Sequence, residues 1–303
     1  MNNENELLMG NSTRVNLKDV NNPFFLEKPL NNYNFGSNRK KIIAVSSSGK
    51  GGTGKSTTSV MLALHYQNLN HNSVLVDFDI PLGDVSTMLG MSFDRSISDF
   101  FGIPDDLGEN YVRDNLLLTF QNGLKVLPAL RTLHDENKVN QEQFIRKIFY
   151  HLKSFDVIIV DTGPNFEPAT VEILKSATDI VYVTDDYETT FQNIYVGRNI
   201  LMEKQVDVNK IKLVVNRSMN IKSSRCLQIA NITGIKNVYF LPYVKNMSDL
   251  VDRREYVVLK KNHIYTNYLE ALIKDVTPEY FSTKNSKEKQ GFVKRLFGGG
   301  SRK

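Results

Sequence analysis

The segment "IIAVSSSGKGGTGKSTTSVMLAL" most constrains what this chain can fold into. Gly49, Gly54, Lys55 and Ser56 fit the pattern G-x-x-x-x-G-K-[ST], directly after an apolar β-branched run and directly before a helical stretch. Glycines allow a tight turn whose N–H groups point at phosphate oxygens, and the following helix presents its positive end to the same anion. The predicted nucleotide-binding loop comprises Gly49, Lys50, Gly51, Gly52, Thr53, Gly54, Lys55, Ser56 and Thr57.

Short apolar runs separated by helical stretches predict the rest of the architecture. Seven runs have the composition of buried strands: "KIIAVSS", "SVLVDFD", "LKVLPA", "FDVIIVD", "DIVYVTD", "IKLVVNR" and "NVYFLPY". Between them, "QEQFIRKIFYHL" places its apolar residues on one helical stripe. This alternation predicts an α/β fold with a doubly wound, mainly parallel sheet and helices on both faces.

Composition divides the chain into three parts. Residues 1–39 contain eleven Asn and no sustained period, which predicts a flexible extension, residues 40–281 form the α/β domain, and residues 282–303 form a basic linker and amphipathic segment. No apolar run reaches the roughly 18 to 20 residues of a membrane span, and residues 1–39 lack a signal-peptide pattern. We therefore expect a cytoplasmic protein. Cys226 is the only cysteine, which argues against cysteine-ligated metal within one chain.

The positive charge of the chain is concentrated at one end. There are 38 Lys and Arg against 33 Asp and Glu, but seven basic residues and one acid follow from Lys284 onward, so the preceding residues sum to about −1. A nearly neutral body counts against a nucleic-acid-binding domain.

Three aspartates stand at the ends of predicted strands. "VLVDFDIPLGDV" ends with Asp77 and Asp79 on one face of a strand, and "FDVIIVDTGPN" is an apolar strand ending in Asp161. Thr162 and Gly163 begin the loop that would sense the γ-phosphate.

A second lysine inside the loop carries a family resemblance. Lys50 in "KGGTGKST" resembles the deviant Walker A loop of the MinD/ParA family of P-loop ATPases. The resemblance implies ATP and Mg²⁺ as ligands and a homodimer in which this lysine reaches the partner's phosphates. Lys50 and Lys55 would act in catalysis together with Asp79, which would orient the attacking water. Mg²⁺ would be held by Ser56 and, through water, by Asp77 and Asp161.

Two further segments resemble the part of that family that holds the base. "LVVNRS" matches the strand whose asparagine contacts adenine, here Asn216. "FLPYVKNMSDLVDRREYVV" matches the segment whose proline, here Pro242, packs near the base.

The basic end of the chain resembles the membrane-targeting sequence of the MinD branch. In "GFVKRLFGG", one helical face would carry Phe292, Val293, Leu296 and Phe297, and the other Lys294 and Arg295. One copy would bind lipid weakly, whereas two copies joined by ATP would gain avidity of about 10² to 10⁴. The resemblance implies a spatial regulator that cycles on and off anionic lipids at the inner face of the cell membrane, together with an unidentified activating or cargo protein.

Other members of the family remain as alternatives. Pro81 and the "LGDV" that follows it resemble the CpaE/TadZ pilus-localising branch, and flagellar placement is a related possibility. From another class, the chain could be a ParA-like DNA-segregation ATPase with a local basic patch such as Lys222 and Arg225.

Overall fold

The computed structural model has an eight-stranded sheet with the order β10-β9-β8-β3-β7-β4-β6-β5, in which only the β5–β6 pair is antiparallel. Its strands are β3 (Lys41–Ser46), β4 (Ser73–Phe78), β5 (Leu118–Thr119), β6 (Lys125–Leu127), β7 (Val157–Thr162), β8 (Asp179–Asp185), β9 (Ile211–Ser218) and β10 (Val238–Pro242). The structure describes residues 6–9, 13–16, 40–47, 51–81, 83–92, 94–219, 221–255, 259–260 and 263–278.

All seven strands predicted from the sequence are present in this sheet. The central ones are buried along almost their whole length, as expected for parallel strands covered on both faces. The sequence did not indicate β5, because a two-residue edge strand is too short to show a period.

Helices cover both faces of the sheet. They are α1 (Lys55–Asn68), α2 (Val85–Leu89), α3 (Glu109–Tyr111), α4 (Glu136–Val139), α5 (Glu142–His151), α6 (Pro168–Ser176), α7 (Glu188–Glu203), α8 (Ser223–Thr233), α9 (Met247–Asp252) and α10 (Ile264–Val276). Successive residues of a strand point to opposite faces. Ile42 and Ala44 of β3 accordingly join one apolar cluster with α5 to α8, while Ile43 and Val45 join another with α1 and α10.

The α5 stripe predicted from the sequence is confirmed. Its five members, Phe144, Ile145, Ile148, Phe149 and Leu152, are all buried in the first of these clusters. The doubly wound fold is therefore confirmed at the level of individual faces.

The two ends of the chain are described only in part. The sequence predicts no regular structure in residues 1–39, but β1 (Glu6–Met9) and β2 (Thr13–Asn16) pair as an antiparallel hairpin. The basic segment 282–303, including the predicted membrane-binding residues, lies outside the described residues. Among the helices that are described, none is long and apolar enough to cross a bilayer.

Candidate nucleotide-binding site

The phosphate loop connects the central strand β3 to α1, as the motif requires. Gly54 has φ 91° and ends the loop directly before Lys55, the first residue of α1. A Cβ at Gly54 would lie 2.2 Å from the Asn216 amide nitrogen, so that space and backbone conformation both require glycine. No acidic residue occupies the first turn of α1, which leaves its positive end available to an anion. Gly49 and Lys50 lie outside the described residues.

Asn216 holds the backbone of this loop. It lies near the end of β9, and its Nδ2 donates to the carbonyl oxygen of Thr53 over 2.9 Å, while its Oδ1 accepts from the Arg217 N–H at 2.9 Å. Both polar atoms of the amide are thus engaged by backbone. The sequence had indicated Asn216 only as a contact to adenine, and that role stays a prediction. The contact to the loop joins residues 163 positions apart, which no local pattern reveals.

Lys55 and Asp79 face each other at the centre of the site. Lys55 is only 6% exposed, and its Nζ lies 4.0 Å from Asp79 Oδ2. A Cβ on Gly163 would lie 3.1 Å from Asp79 Oδ1, so the carboxylate also touches the loop after β7. Burial raises the pKa of Asp79, the Lys55 charge opposes this, and Asp84 adds to it. The structure therefore brings together Lys55, Asp79 and the loop that begins at Thr162 and Gly163, whose roles toward phosphate and water stay predictions.

Asp161 is buried at the end of β7 and binds the first turns of α1. Ser59 Oγ donates to Asp161 Oδ1 over 2.8 Å, and the Ser56 hydroxyl also hydrogen-bonds this carboxylate. Burial raises the pKa of Asp161 to about 6, although both serine hydrogen bonds favour the charged form. Its Oδ2 is buried without a hydrogen-bond partner within the described part of the chain.

Asp77 is the neighbour of Asp161 in the adjacent strand. The two residues pair directly in the register of β4 and β7. Asp77 Oδ1 accepts the Asp79 N–H at 3.3 Å, and Oδ2 accepts the Val85 N–H at 3.1 Å. A Cβ at Gly83 would lie 2.3 Å from Asp77 Oδ1. Asp77 thus braces the loop after β4, and burial together with the charge of Asp161 raises its pKa well above the usual range.

These residues fit a magnesium ion held mainly through water and phosphate. The described residues contain no group of three or more His, Cys, Asp or Glu placed to hold a metal directly. The oxygen atoms available as metal ligands are the Ser56 hydroxyl and the unpartnered Asp161 Oδ2. A cation there would relieve the repulsion between Asp161 and Asp77. A bound Mg²⁺ would neutralise part of the negative charge of the nucleotide phosphates. The predicted role of Asp77 near the metal stays a prediction.

A pocket of about 360 Å³ adjoins the loop on the β9 and β10 side. Three predicted residues, Thr57, Asn216 and Pro242, line it together. The sequence did not single out the other lining residues, which include Met88, Tyr243, Val244, Met247, Val251 and Tyr265. A pocket with apolar walls and a few polar groups, placed beside a phosphate loop, suits a nucleoside.

Comparison with known proteins agrees with this site. Residues 38–276 match the family model described as "ParA: NUBPL iron-transfer P-loop NTPase". The chain is 26% identical over 277 residues to the septum site-determining protein MinD of Escherichia coli (strain K12), covering 85% of this chain and 99% of MinD. It is 24% identical over 228 residues to antiactivator FleN of Pseudomonas aeruginosa, covering 72% of this chain and 79% of FleN.

Solved structures share the fold. A ParA family ATPase from Chlorobium tepidum superposes with a TM-score of 0.68 at 19% identity, covering 77% of this chain and 99% of the other. MinD from Pyrococcus horikoshii, solved with Mg-ADP, gives a TM-score of 0.61 at 17% identity, with coverage of 80% and 98%.

Proposed function

Because this chain belongs to the ParA family of P-loop NTPases, we propose that it is a spatial regulator that dimerises with ATP and resides on a membrane until it hydrolyses the nucleotide. It is an ATPase that uses ATP and Mg²⁺. The given sequence contains one cysteine, Cys226, so one chain does not offer the four cysteine ligands of an iron–sulfur cluster.

The observation that carries the proposal is the match to MinD over 99% of its length. MinD is a septum site-determining protein, and the region matched includes the residues that build the nucleotide site here. The site itself supports turnover, since Lys55, Asp79 and the Ser56–Asp161 pair are placed around one phosphate loop. We propose that Lys50 completes this site across the dimer.

Membrane residence is the second part of the proposal, and it rests on sequence. Two apolar pairs, Phe292–Val293 and Leu296–Phe297, flank the basic pair Lys294–Arg295, and on a helix the apolar pairs share one face. Ordering one such segment on lipid costs on the order of 1 to 2 kcal/mol per residue in backbone entropy, so a monomer binds weakly. An ATP-dependent dimer inserts two copies and gains avidity. Nucleotide state would thereby set how long the protein stays on the inner face of the membrane.

Partner proteins would select the cellular structure that this ATPase positions, and the nucleotide site is common to all the alternatives. Division-site placement follows from the MinD match, and pilus placement follows from the resemblance of the segment around Pro81. Flagellar placement is a further alternative within the family. A DNA-segregation role in the ParA manner requires a nucleic-acid surface on a body whose net charge is about −1.

The test is co-sedimentation with anionic vesicles in ATP, in ADP and without nucleotide. The unaltered chain should bind the vesicles in the presence of ATP, and a version ending at Gln290 should not bind them. Lys55→Ala should behave with ATP as the unaltered chain does without it. Failure of the unaltered chain to bind vesicles in any nucleotide state would refute membrane residence and leave the ATPase assignment intact.

A further inference from the structure

Three exposed apolar side chains form a row at the edge where the parallel strands end, here called the carboxyl edge. Tyr187, Met219 and Tyr243 follow β8, β9 and β10, which are neighbours in the sheet. Their exposed fractions are 64%, 85% and 52%, and Met219 is the most exposed of the large apolar side chains in the described ranges. The Tyr243 N–H donates to the Ser218 carbonyl oxygen at 3.0 Å, which joins two loops of the row. Folding of one chain therefore leaves this apolar row uncovered.

A second pocket, here called the rim pocket, opens within this row. Its volume is about 420 Å³, and its lining consists of Asp185, Asp186, Tyr187, Asn216, Arg217 and Met219. It differs from the nucleoside pocket, although Asn216 and Arg217 line both. The row thus combines protruding side chains with an adjacent hollow.

The charges around the rim pocket are paired within the chain. Arg217 Nη1 lies 3.5 Å from Asp185 Oδ1, and Arg225 Nη2 lies 3.1 Å from Asp186 Oδ1. Ser218 Oγ also donates to Asp186 Oδ2 over 2.7 Å. Because both acids have partners, covering the rim pocket with an apolar side chain strands no unpaired charge. The same balance of charge offers little attraction to nucleic acid.

The rim pocket shares a wall with the nucleotide site. Asn216, which lines both pockets, donates to the Thr53 carbonyl oxygen of the phosphate loop at 2.9 Å. A Cβ at Gly54 would lie 3.9 Å from Arg217 Nη2, so the guanidinium group lies beside the last residue of the loop. A group that fills the rim pocket therefore contacts residues that also border the nucleotide.

From these observations we propose that the rim pocket receives Met219 of the partner subunit, so that the apolar row is the contact between two copies of this chain. This rests on the ATP-dependent dimer proposed above, in which Lys50 reaches the partner's phosphates and the two carboxyl edges face each other. A twofold interface requires a patch that is complementary to itself, and a protruding side chain beside a hollow meets that requirement. Tyrosine, methionine and arginine are also enriched in interface cores.

The shared wall links partner binding to nucleotide binding. Nucleotide that orders Asn216 and Arg217 also orders one side of the rim pocket. By thermodynamic linkage, a partner seated there tightens nucleotide binding by the same factor. The affinity for ATP should therefore rise with protein concentration in the unaltered chain.

The experiment measures self-association of the full chain by sedimentation velocity, without lipid, in ADP and in the non-hydrolysable ATP analogue AMP-PNP. Met219→Asp should weaken the AMP-PNP dimer roughly 30-fold or more, because a carboxylate would enter a pocket lined by two aspartates. Met219→Leu should stay within about threefold. The matched control is Met202→Asp, which alters an exposed methionine in the last turn of α7, at the opposite edge of the sheet. It should also stay within about threefold.

Met219→Lys provides a second readout, which a general defect of the monomer would not produce. Its ammonium group would meet Asp185 and Asp186 of the partner subunit, so the dimer should weaken roughly tenfold less than with Met219→Asp. A loss as large as that of Met219→Asp would contradict contact with the two aspartates. Binding of a fluorescent ATP analogue, at protein concentrations too low for dimers, should be equal in all variants within about threefold.

Each other result overturns the inference in a recognisable way. Normal dimers of Met219→Asp would assign the rim pocket to a different occupant and keep the proposed function. Loss of ATP binding by monomeric Met219→Asp would place this residue in the nucleotide site instead of the subunit contact. Equal weakening by Met202→Asp would mean that only net charge matters. If the unaltered chain forms no dimer with AMP-PNP, the proposed function fails as well.

Discussion

The two edges of this sheet have opposite charge chemistry although the same strands build both. At the carboxyl edge, five aspartates stand at or just after the ends of β4, β7 and β8: Asp77, Asp79, Asp161, Asp185 and Asp186. At the amino edge, lysines outnumber acids by ten to five over residues 40–41, 68–73, 122–125, 152–157, 175–179, 203–212, 233–238 and 274–278. A parallel sheet makes this separation possible, because every strand begins at one edge and ends at the other.

Burial and nearby like charges change pKa values in opposite directions at the two edges. Burial raises the pKa values of Asp77 and Asp161, and the charge of Asp161 adds to the rise at Asp77, as that of Asp79 does at Asp161. At the other edge, His151 ends α5 and is 3% exposed, and burial together with the charges of Lys147 and Lys153 lowers its pKa to about 4. The buried aspartates of the carboxyl edge therefore suit a bound cation, whereas protonation of His151 at the amino edge is disfavoured.

The largest effect is expected for Lys55→Ala at the carboxyl edge. Removing the buried ammonium group that faces the phosphates should lower ATP turnover on the order of 10³-fold and abolish the ATP-dependent dimer. Phosphate release and sedimentation velocity measure the two outcomes. Lys138→Ala, an exposed lysine on α4, serves as control. Turnover within tenfold of the unaltered chain would remove Lys55 from the centre of the site.

Asp79→Ala should slow turnover about 10²-fold while ATP-dependent dimers still form. The carboxylate is expected to orient the attacking water rather than to hold the nucleotide. The matched control is Asp84→Ala, since Asp84 lies near the same loop but is exposed and makes no capping hydrogen bond. Normal hydrolysis by the Asp79 variant would contradict the assignment.

His151→Gln tests, through stability, the lowered pKa of a buried histidine at the amino edge. The unfolded histidine has a pKa of about 6.5 and the folded one about 4, so the unfolded state binds more protons between these values. The unaltered protein should therefore lose about 1 to 2 kcal/mol of unfolding free energy from His151 as pH falls from 7 to 5. Urea denaturation at both pH values should show a smaller fall for the variant. Equal falls in the two proteins would show that the pKa of His151 is not lowered in the folded state.

The smallest effect is expected for Asn216→Ala, which removes one hydrogen bond to the loop. KM for nucleotide should rise about fivefold, since such a bond contributes on the order of 1 kcal/mol, and kcat should change less. Because the contact is to loop backbone, ATP and GTP should be affected equally. A loss confined to ATP would instead favour the adenine contact predicted from the sequence.

Much of the molecule was predictable from local pattern. The loop motif, the seven strands and the stripe of α5 each depend on residues close in sequence, where spacing reports directly on geometry. The hairpin β1–β2 and the short edge strand β5 were not predictable, because a strand of two to four residues shows too little periodicity.

The sequence by itself determined the phosphate loop, the alternation of strands and helices, and the positions of acids at strand ends. Only the tertiary structure decided which groups those acids contact. Asp161 accepts a hydrogen bond from Ser59, 102 residues away, and both carboxylate oxygens of Asp77 accept backbone N–H groups that follow β4. In the same way, it decided that Asn216 hydrogen-bonds the phosphate loop at Thr53. It also decided that scattered lysines share one edge. The physical reason is register, because strand order and alignment in a parallel sheet bring distant residues to one edge, and spacing along the chain carries no record of that order.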